Sequence, residues 1–237
     1  NVPDPFVPPT VSVMAPTNRA DRIPNIIANC ARQTWQPDEI VLVLHGIDVD
    51  EGRVKDEAAA VGIDSVNVLR QPAEVILGEV FNAGFLAASG DYIAKMDDDD
   101  YYGAEYLADL IDAFTYTEAD VVGKWAHYAY LEGIDATIFR YGDFEHTYHD
   151  VLAISTLLIK RQIFEHHRFP AMPVGSGSVF LRNVRADGAR IYSADRFNYL
   201  YNRYSAGGHH TFPVSDLQLA SNSVLVCQGK NLDHVDA

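Results

Sequence analysis

Four times within the first 120 residues, a short apolar run is followed by residues spaced for one face of a helix. Nothing else in this chain constrains its fold as tightly. The runs lie at 11–15, 40–44, 66–70 and 92–96. The run at 40–44, Ile-Val-Leu-Val-Leu, is apolar without a break, as in a strand covered on both faces. Ile23, Ile26, Ile27, Cys30 and Ala31 follow the i, i+3, i+4, i+7 spacing of a helix face, with Asp21 as a candidate cap and Pro24 in the first turn. Further helices are expected over 50–61, 78–89 and from 103 onward, where Leu107, Leu110, Ile111 and Phe114 make the stripe. Alternation with short connections predicts a mostly parallel, right-handed α/β sheet flanked by helices.

After residue 120 the pattern changes. Strands are expected at 121–125, 137–141, 151–159 and 190–192, a helix over 177–187, and a turn at Glu132-Gly133. The last thirty residues are poorly periodic. With no internal repeat and no low-complexity linker, the expectation is a single domain over 1–237, with an α/β half to residue 120 and a mixed half over 121–237.

Met96 is followed by Asp97, Asp98, Asp99 and Asp100, directly after the fourth apolar run. Consecutive carboxylates repel one another, and the end of a buried strand holds them poorly without a cation. Ligands of open α/β sheets bind at the carboxyl ends of the strands. Carboxylate oxygens suit hard divalent cations, so Mg²⁺ or Mn²⁺ is the expected cofactor.

Thirty-three acidic against eighteen basic residues leave a net charge of −15, which argues against binding nucleic acid or an anionic membrane. No apolar run reaches transmembrane length, and a cytoplasmic protein is expected. Cys30 and Cys227 suggest no disulfide framework.

Four segments in order resemble family 2 glycosyltransferases with the GT-A fold. They are VSVMAPTNR at 11–19, QTWQPDEIVLVL at 33–44, GEVFNAGFLAASGDY at 78–92, and the acidic run at 96–100, which resembles the family's Asp-x-Asp metal motif. The resemblance covers about the first half of the chain. It implies transfer of a sugar from a nucleoside-diphosphate donor, a UDP- or GDP-sugar, to a saccharide or other hydroxyl acceptor, with inversion as the expected outcome and polysaccharide biosynthesis as a setting. By resemblance Asp97 and Asp99 hold the metal, and Asp98 meets the nucleotide with Pro16, Thr17, Asn18, Arg19 and Asn82. His210, in the late GGHHTF stretch, is the candidate third ligand, since an imidazole joins carboxylates around Mn²⁺.

Two segments depart from the family pattern. Where relatives carry an Asp-Asp-Gly-Ser-like stretch after the second strand, this chain has His45-Gly46-Ile47-Asp48, so His45 becomes the candidate base-binding residue. Where relatives carry Gly-Glu-Asp before a late helix, this chain has Gly175-Ser176-Gly177, without a carboxylate. Asp150, Glu145 and Asp195 are therefore the candidates for the base that activates the acceptor. Trp125 and Tyr128 are the candidate acceptor platform, because aromatic faces stack on sugar rings. A non-catalytic nucleotide- or sugar-binding module of the same fold is the alternative expectation.

Overall fold

The computed structural model describes residues 8–205 and 214–236. The first half runs β1 (Val11–Thr17), α1 (Ile23–Ala31), β2 (Glu39–His45), α2 (Glu51–Ala59), β3 (Val66–Gln71), α3 (Leu77–Ala87), β4 (Tyr92–Lys95), β5 (Tyr101–Tyr102) and α4 (Tyr106–Tyr116). The second half adds β6 (Val121–Gly123), β7 (His127–Leu131), β8 (Ala136–Arg140), β9 (Thr147–Tyr148), β10 (Leu158–Lys160), α5 (Ile163–His166), α6 (Ser176–Ala186), β11 (Ile191–Ser193), β12 (Tyr199–Arg203), α7 (Asp216–Ser221) and β13 (Val224–Gln228).

Two sheets result. The larger has the order β3-β2-β1-β4-β10-β6-β11-β9. Its first four strands are parallel, and β10 runs antiparallel to both β4 and β6. The smaller sheet has the order β13-β8-β7-β12-β5. The expected βα alternation is thus present through α4, and the fold is α/β with a large mixed sheet. Among the described residues, no helix is long and apolar enough to cross a membrane.

Successive strand residues point to opposite faces, and each face has its own helices. Val13, Ala15, Ile40, Leu42 and Leu44 pack with Ile26, Ile27 and Cys30 of α1 and with Leu107, Leu110 and Ile111 of α4. Met14, Val41, Val43 and Ile93 pack with Phe81 and Phe85 of α3 and with Phe180, Leu181 and Val184 of α6. Burial on both faces explains why β2 carries no polar alternation. Asp50 caps α2, accepting from the Gly52 and Arg53 N–H groups. Asp21 is not the cap of α1: it lies in a short 3-10 turn, and the helix starts at Ile23 with Pro24 in its first two positions.

The expected strand over 151–159 is corrected. The chain makes a 3-10 turn over Ile154–Thr156, and only Leu158–Lys160 pairs. The strands β7, β12 and β13 and the helix α7 had no sequence expectation.

The arrangement that positions the site is the exit from β4. Lys95 is the last residue of a large-sheet strand, and Tyr101 is the first residue of a small-sheet strand. The acidic run therefore bridges the two sheets.

His127 on β7 is buried, and its Nδ1 lies 2.8 Å from the Trp125 carbonyl oxygen. A carbonyl only accepts, so the neutral ring carries its proton on Nδ1. Burial, helped by the Arg140 charge, lowers its pKa from 6.5 to about 3. The unfolded chain then binds a proton that the folded chain refuses. Stability contributed by His127 is complete above pH 6.5 and falls as pH drops toward 3. Between pH 7 and pH 5 the expected loss is roughly 1–2 kcal/mol. Urea midpoints at the two pH values check this, and His127→Phe should flatten the difference.

Candidate functional site

The acidic run is held by helix α1 and by the smaller sheet. Asn25 Nδ2 of α1 donates to the backbone oxygens of Asp98 and Asp100, at 2.9 and 3.1 Å, and Asn29 Nδ2 to that of Asp100 at 3.0 Å. From β12, Asn202 Nδ2 donates to the Asp99 carbonyl at 2.9 Å. The Asp97 N–H donates to Tyr102 Oη at 2.7 Å. Carbonyls and amides that would otherwise be orphaned at a strand end are satisfied by side chains.

The four carboxylates are not equivalent. Asp100 is 1% exposed and turned inward, accepting from the Tyr199 hydroxyl at 2.7 Å and the Asn202 N–H at 2.9 Å. Burial, with Asp99 and Asp97 nearby, raises its pKa well above the usual carboxylate range. Asp98 accepts from Thr17 Oγ1 at 2.5 Å and from Arg19, whose Nε is 3.2 Å from Oδ2 and whose Nη2 pairs with Oδ1. Asp99 Oδ2 accepts from the same Nη2 at 2.8 Å. Burial raises the Asp99 carboxyl, with Asp97 and Asp98 adding to the shift and Arg19 opposing it. Burial works against the Arg19 charge, but its bonds to Asp98 and Asp99 outweigh that and raise its pKa. Asp97 pairs with the Lys95 ammonium.

These groups face a cleft of about 550 Å³ at the carboxyl ends of β1, β2 and β4. One side of it is lined by Pro16, Thr17, Asn18, Arg19 and His45. Its floor holds Lys95, Asp97, Asp98 and Asp99, with Tyr201 of β12 beside them. The other side is built from Leu77 and Phe81 of α3, Ile154, and residues 173–178 at the start of α6. His45 Nε2 is buried in the wall with no hydrogen-bond partner. A buried imidazole nitrogen without a protein partner at a cleft is open to a hydrogen bond from a ligand or from water.

The two helix starts meet at Gly78. A Cβ there would lie 2.0 Å from the Pro170 carbonyl oxygen and 2.7 Å from Ser176 Oγ, so only glycine lets α3 approach α6. Gly175 precedes α6 at φ +80, and no acidic side chain stands in that helix's first turn. A Cβ at Gly177 would meet Ile154 atoms at 2.6 Å. Ile154 thus fills the space that a carboxylate at this position would need.

The structure brings Pro16, Thr17, Asn18, Arg19, His45, Asp97, Asp98 and Asp99 to one cleft. His210 lies outside the described residues. Asn82 is elsewhere: its Nδ2 donates to the Phe169 carbonyl and its Oδ1 accepts from the Phe169 N–H, both at 2.8 Å. Both ends of the amide are committed to packing α3 against the loop before α6. Asn82→Ala is therefore expected to cost about 1–3 kcal/mol of stability. Affinity for UDP or GDP, read by calorimetry, should stay unchanged.

The three base candidates do not line the cleft. Asp150 is exposed and pairs with Arg185 Nε at 2.8 Å. Glu145 grips Arg196, accepting from its Nε at 2.8 Å and from its backbone N–H at 2.9 Å. Asp195 accepts from buried Lys124 at 2.8 Å and from the Phe197 N–H at 2.7 Å. Burial alone would raise its pKa, but Lys124 overrides that and lowers it. Each is a structural ion pair. Tyr128 is 7% exposed and packs on Phe139, with ring centroids 5.3 Å apart. Trp125 stacks on Tyr141 at 4.0 Å. Neither lines the cleft.

Sequence reasoning passed over Tyr201, Leu77, Phe81 and Ile154, and weighed Lys95, beside Arg70, as a candidate phosphate contact. Only the position of Lys95 was a signal: a lysine inside an apolar run, two residues before the aspartates.

The sequence pattern described as glycosyl transferase family 2 matches residues 12–188. An uncharacterised glycosyltransferase of Nostoc sp. is 31% identical over 121 residues, covering 51% of this chain and 37% of that protein. Glycosyltransferase GlyG of Streptococcus pneumoniae is 29% identical over 125 residues, 52% of this chain and 41% of that protein. The match therefore spans about two fifths of the length of these curated relatives. Among solved structures, S. aureus TarS in complex with UDP-GlcNAc superposes with a TM-score of 0.66 at 19% identity, over 87% of this chain and 62% of that one. The mannosyltransferase PcManGT from Pyrobaculum calidifontis, in complex with GDP-Man and Mn²⁺, gives 0.64 at 17% identity, over 87% of this chain and 60% of that one. At such identities the likeness is one of fold.

Proposed function

The chain belongs to glycosyl transferase family 2, and from that premise we propose that it transfers a sugar from a nucleoside-diphosphate donor to a hydroxyl-bearing acceptor, a saccharide being the leading class, with inversion. One observation carries this: the β1 loop, His45 and the acidic run line one cleft at the strand ends. Residues 1–120 would form the donor half and 121–237 the acceptor half, with the donor drawn from the cytoplasmic pool. Pro16, Thr17, Asn18 and Arg19 would hold the nucleotide. The unpaired Nε2 of His45 is suited to a base edge, where it replaces the acidic stretch of relatives.

The donor set fits a hard divalent cation in chemistry: Asp97 and Asp99 offer carboxylate oxygens that line the cleft. Among the described residues, no three such side chains converge on a point. A cation held here would take its other ligands from the donor's phosphate oxygens, water or His210. Bound there, Mg²⁺ or Mn²⁺ would stabilise the negative charge of the departing diphosphate. The chain's own residues orient the donor and exclude water: Arg19 and Lys95 bring positive charge to the floor, and Phe81 and Leu77 give an apolar flank. The acceptor oxygen attacks the anomeric carbon, the bond to the diphosphate breaks, and the acceptor proton passes to a base. Every described carboxylate of the lining is paired with Arg19 or Lys95, so that base is still to be assigned.

A binding module of the same fold is the second reading, favoured by one observation: Ile154 closes the place beside Gly177 where relatives carry a carboxylate. Incubation with UDP- and GDP-sugars, Mn²⁺ and candidate acceptors separates the two. Release of nucleoside diphosphate supports transfer; thermal stabilisation without release supports the module.

A further inference from the structure

The cleft contains two protein cations already engaged with three carboxylates. Lys95 is 2% exposed, yet it lines the cleft, and its ammonium pairs with Asp97 while lying 4.8 Å from the centre of the Phe81 ring. Arg19 spans Asp98 and Asp99. The side chain of Asp97 is 37% exposed and that of Asp99 is 17% exposed, so both carboxylates reach the cleft.

A lysine in an apolar strand is costly unless its charge is met. Here one carboxylate meets it, and an ammonium has three N–H donors. Hydrogen bonding among the described residues uses one of them, the bond to Asp97. The remaining donors sit at the wall of a cleft, where an anionic ligand can reach them. The floor carries Asp97, Asp98 and Asp99 against Lys95 and Arg19, one negative charge in excess. A divalent cation alone would have to displace a protein cation from its carboxylates. A diphosphate alone would meet those carboxylates as like charge. Together the two ligands permit an exchange of partners that neither permits alone.

We propose that Lys95 is a diphosphate-contacting residue, and that Lys95 and Arg19 act as exchangeable place-holders. In the donor-free protein they neutralise the acidic run. When donor enters, they turn to its phosphate oxygens and leave Asp97 and Asp99 to a divalent cation. Donor and cation then bind with positive cooperativity, because each removes the other's competitor. This inference rests on the donor-binding reading of the same cleft.

The test uses Lys95→Met, which keeps the aliphatic volume beside Phe81 and removes the charge, with Lys95→Arg as the charge-retaining control. Two affinities are read by calorimetry: Mn²⁺ alone, and UDP or GDP at saturating Mn²⁺. The exchange predicts opposite signs. Lys95→Met binds Mn²⁺ about three- to tenfold tighter, since Asp97 has lost its competitor. It binds the diphosphate at least about tenfold more weakly, since a charge-assisted hydrogen bond is gone. Lys95→Arg stays near wild type in both. A fall in both affinities, or no change in either with thermal stability retained, overturns the proposal, since a merely structural lysine would not move them apart. If wild type itself binds neither UDP nor GDP, with or without Mn²⁺, the donor-binding reading fails instead.

Discussion

Asp99→Asn is expected to lower nucleoside diphosphate release from the donor by about 10²- to 10³-fold while leaving the fold intact. Asparagine has nearly the same shape and keeps an oxygen that can accept from Arg19 Nη2, now at 2.8 Å from Asp99 Oδ2. The loop backbone is unaffected, because its anchors are the Asn25, Asn29 and Asn202 amides acting on carbonyl oxygens. What disappears is charge. Of the four aspartates, Asp99 combines a cleft-facing carboxylate with strong desolvation, so a cation gains most there. The measurement is the rate of UDP or GDP release over a Mn²⁺ titration, with Mn²⁺ affinity read separately. Unchanged Mn²⁺-supported nucleotide binding in the variant would remove Asp99 from the centre of the site. Asp98→Asn is the comparison: Asp98 is held by Thr17 and Arg19 and is 6% exposed, so its loss should disturb the β1 loop more than the metal response.

The first half of this fold was legible because its signals are local. A β2 buried on both faces is an unbroken apolar run, and an α1 on one face shows its stripe at 23, 26, 27 and 30. The acidic run declared itself by standing where such a strand ends. What escaped depended on distant partners. Tyr201 belongs to a strand with alternating Tyr, Leu, Tyr and Asn, which resembles irregular sequence unless β7 is known to lie alongside. Glu145, Asp150 and Asp195 were attractive only as carboxylates in the right half of the chain. Arg196, Arg185 and Lys124, between 35 and 71 residues away, engage them outside the cleft lining.

The resemblance helped unevenly for a related reason. It picked strand-end residues that the fold gathers into one cleft, since the strand ends are where a parallel sheet places its loops. It assigned Asn82 poorly, because the same asparagine can face a ligand or tie down a backbone, and here the Phe169 peptide groups take both ends of it. At Gly175-Ser176-Gly177 the departure from the family pattern was visible in sequence. Only the structure shows that Ile154 occupies the space beside Gly177, so placing a carboxylate there would need a smaller residue at 154 as well.

The fourth aspartate carries the second large effect. Asp100→Ala is expected to destabilise the protein by about 2–4 kcal/mol, whereas Asp100→Asn should cost under about 1 kcal/mol. Alanine leaves the Asn202 N–H, now 2.9 Å from the carboxylate, without an acceptor in a buried place, and removes the 2.7 Å bond of the Tyr199 hydroxyl, which keeps only Ser155 as a partner. Tyr199 belongs to a chain of groups: its oxygen lies 2.6 Å from Ser155 Oγ, and the Ser155 carbonyl accepts from Tyr102, whose oxygen accepts from the Asp97 N–H. Removing one end slackens the far end of the acidic run as well. Asparagine keeps a carbonyl oxygen for the Asn202 N–H, and the Tyr199 hydroxyl can turn to donate to Ser155 and accept from the new amide. Against the loss stands one gain, relief of the repulsion that Asp100 feels from Asp99 and Asp97. Both variants enjoy that gain, so it cancels between them and the difference isolates the hydrogen bonds. Urea midpoints at pH 7 measure the stabilities, and Mn²⁺-supported UDP or GDP affinity measures the loop. Alanine should weaken that affinity and asparagine preserve it. Equal stability of the two variants would mean that Asp100 is a tolerated buried acid and that Asn25, Asn29 and Asn202 hold the loop alone.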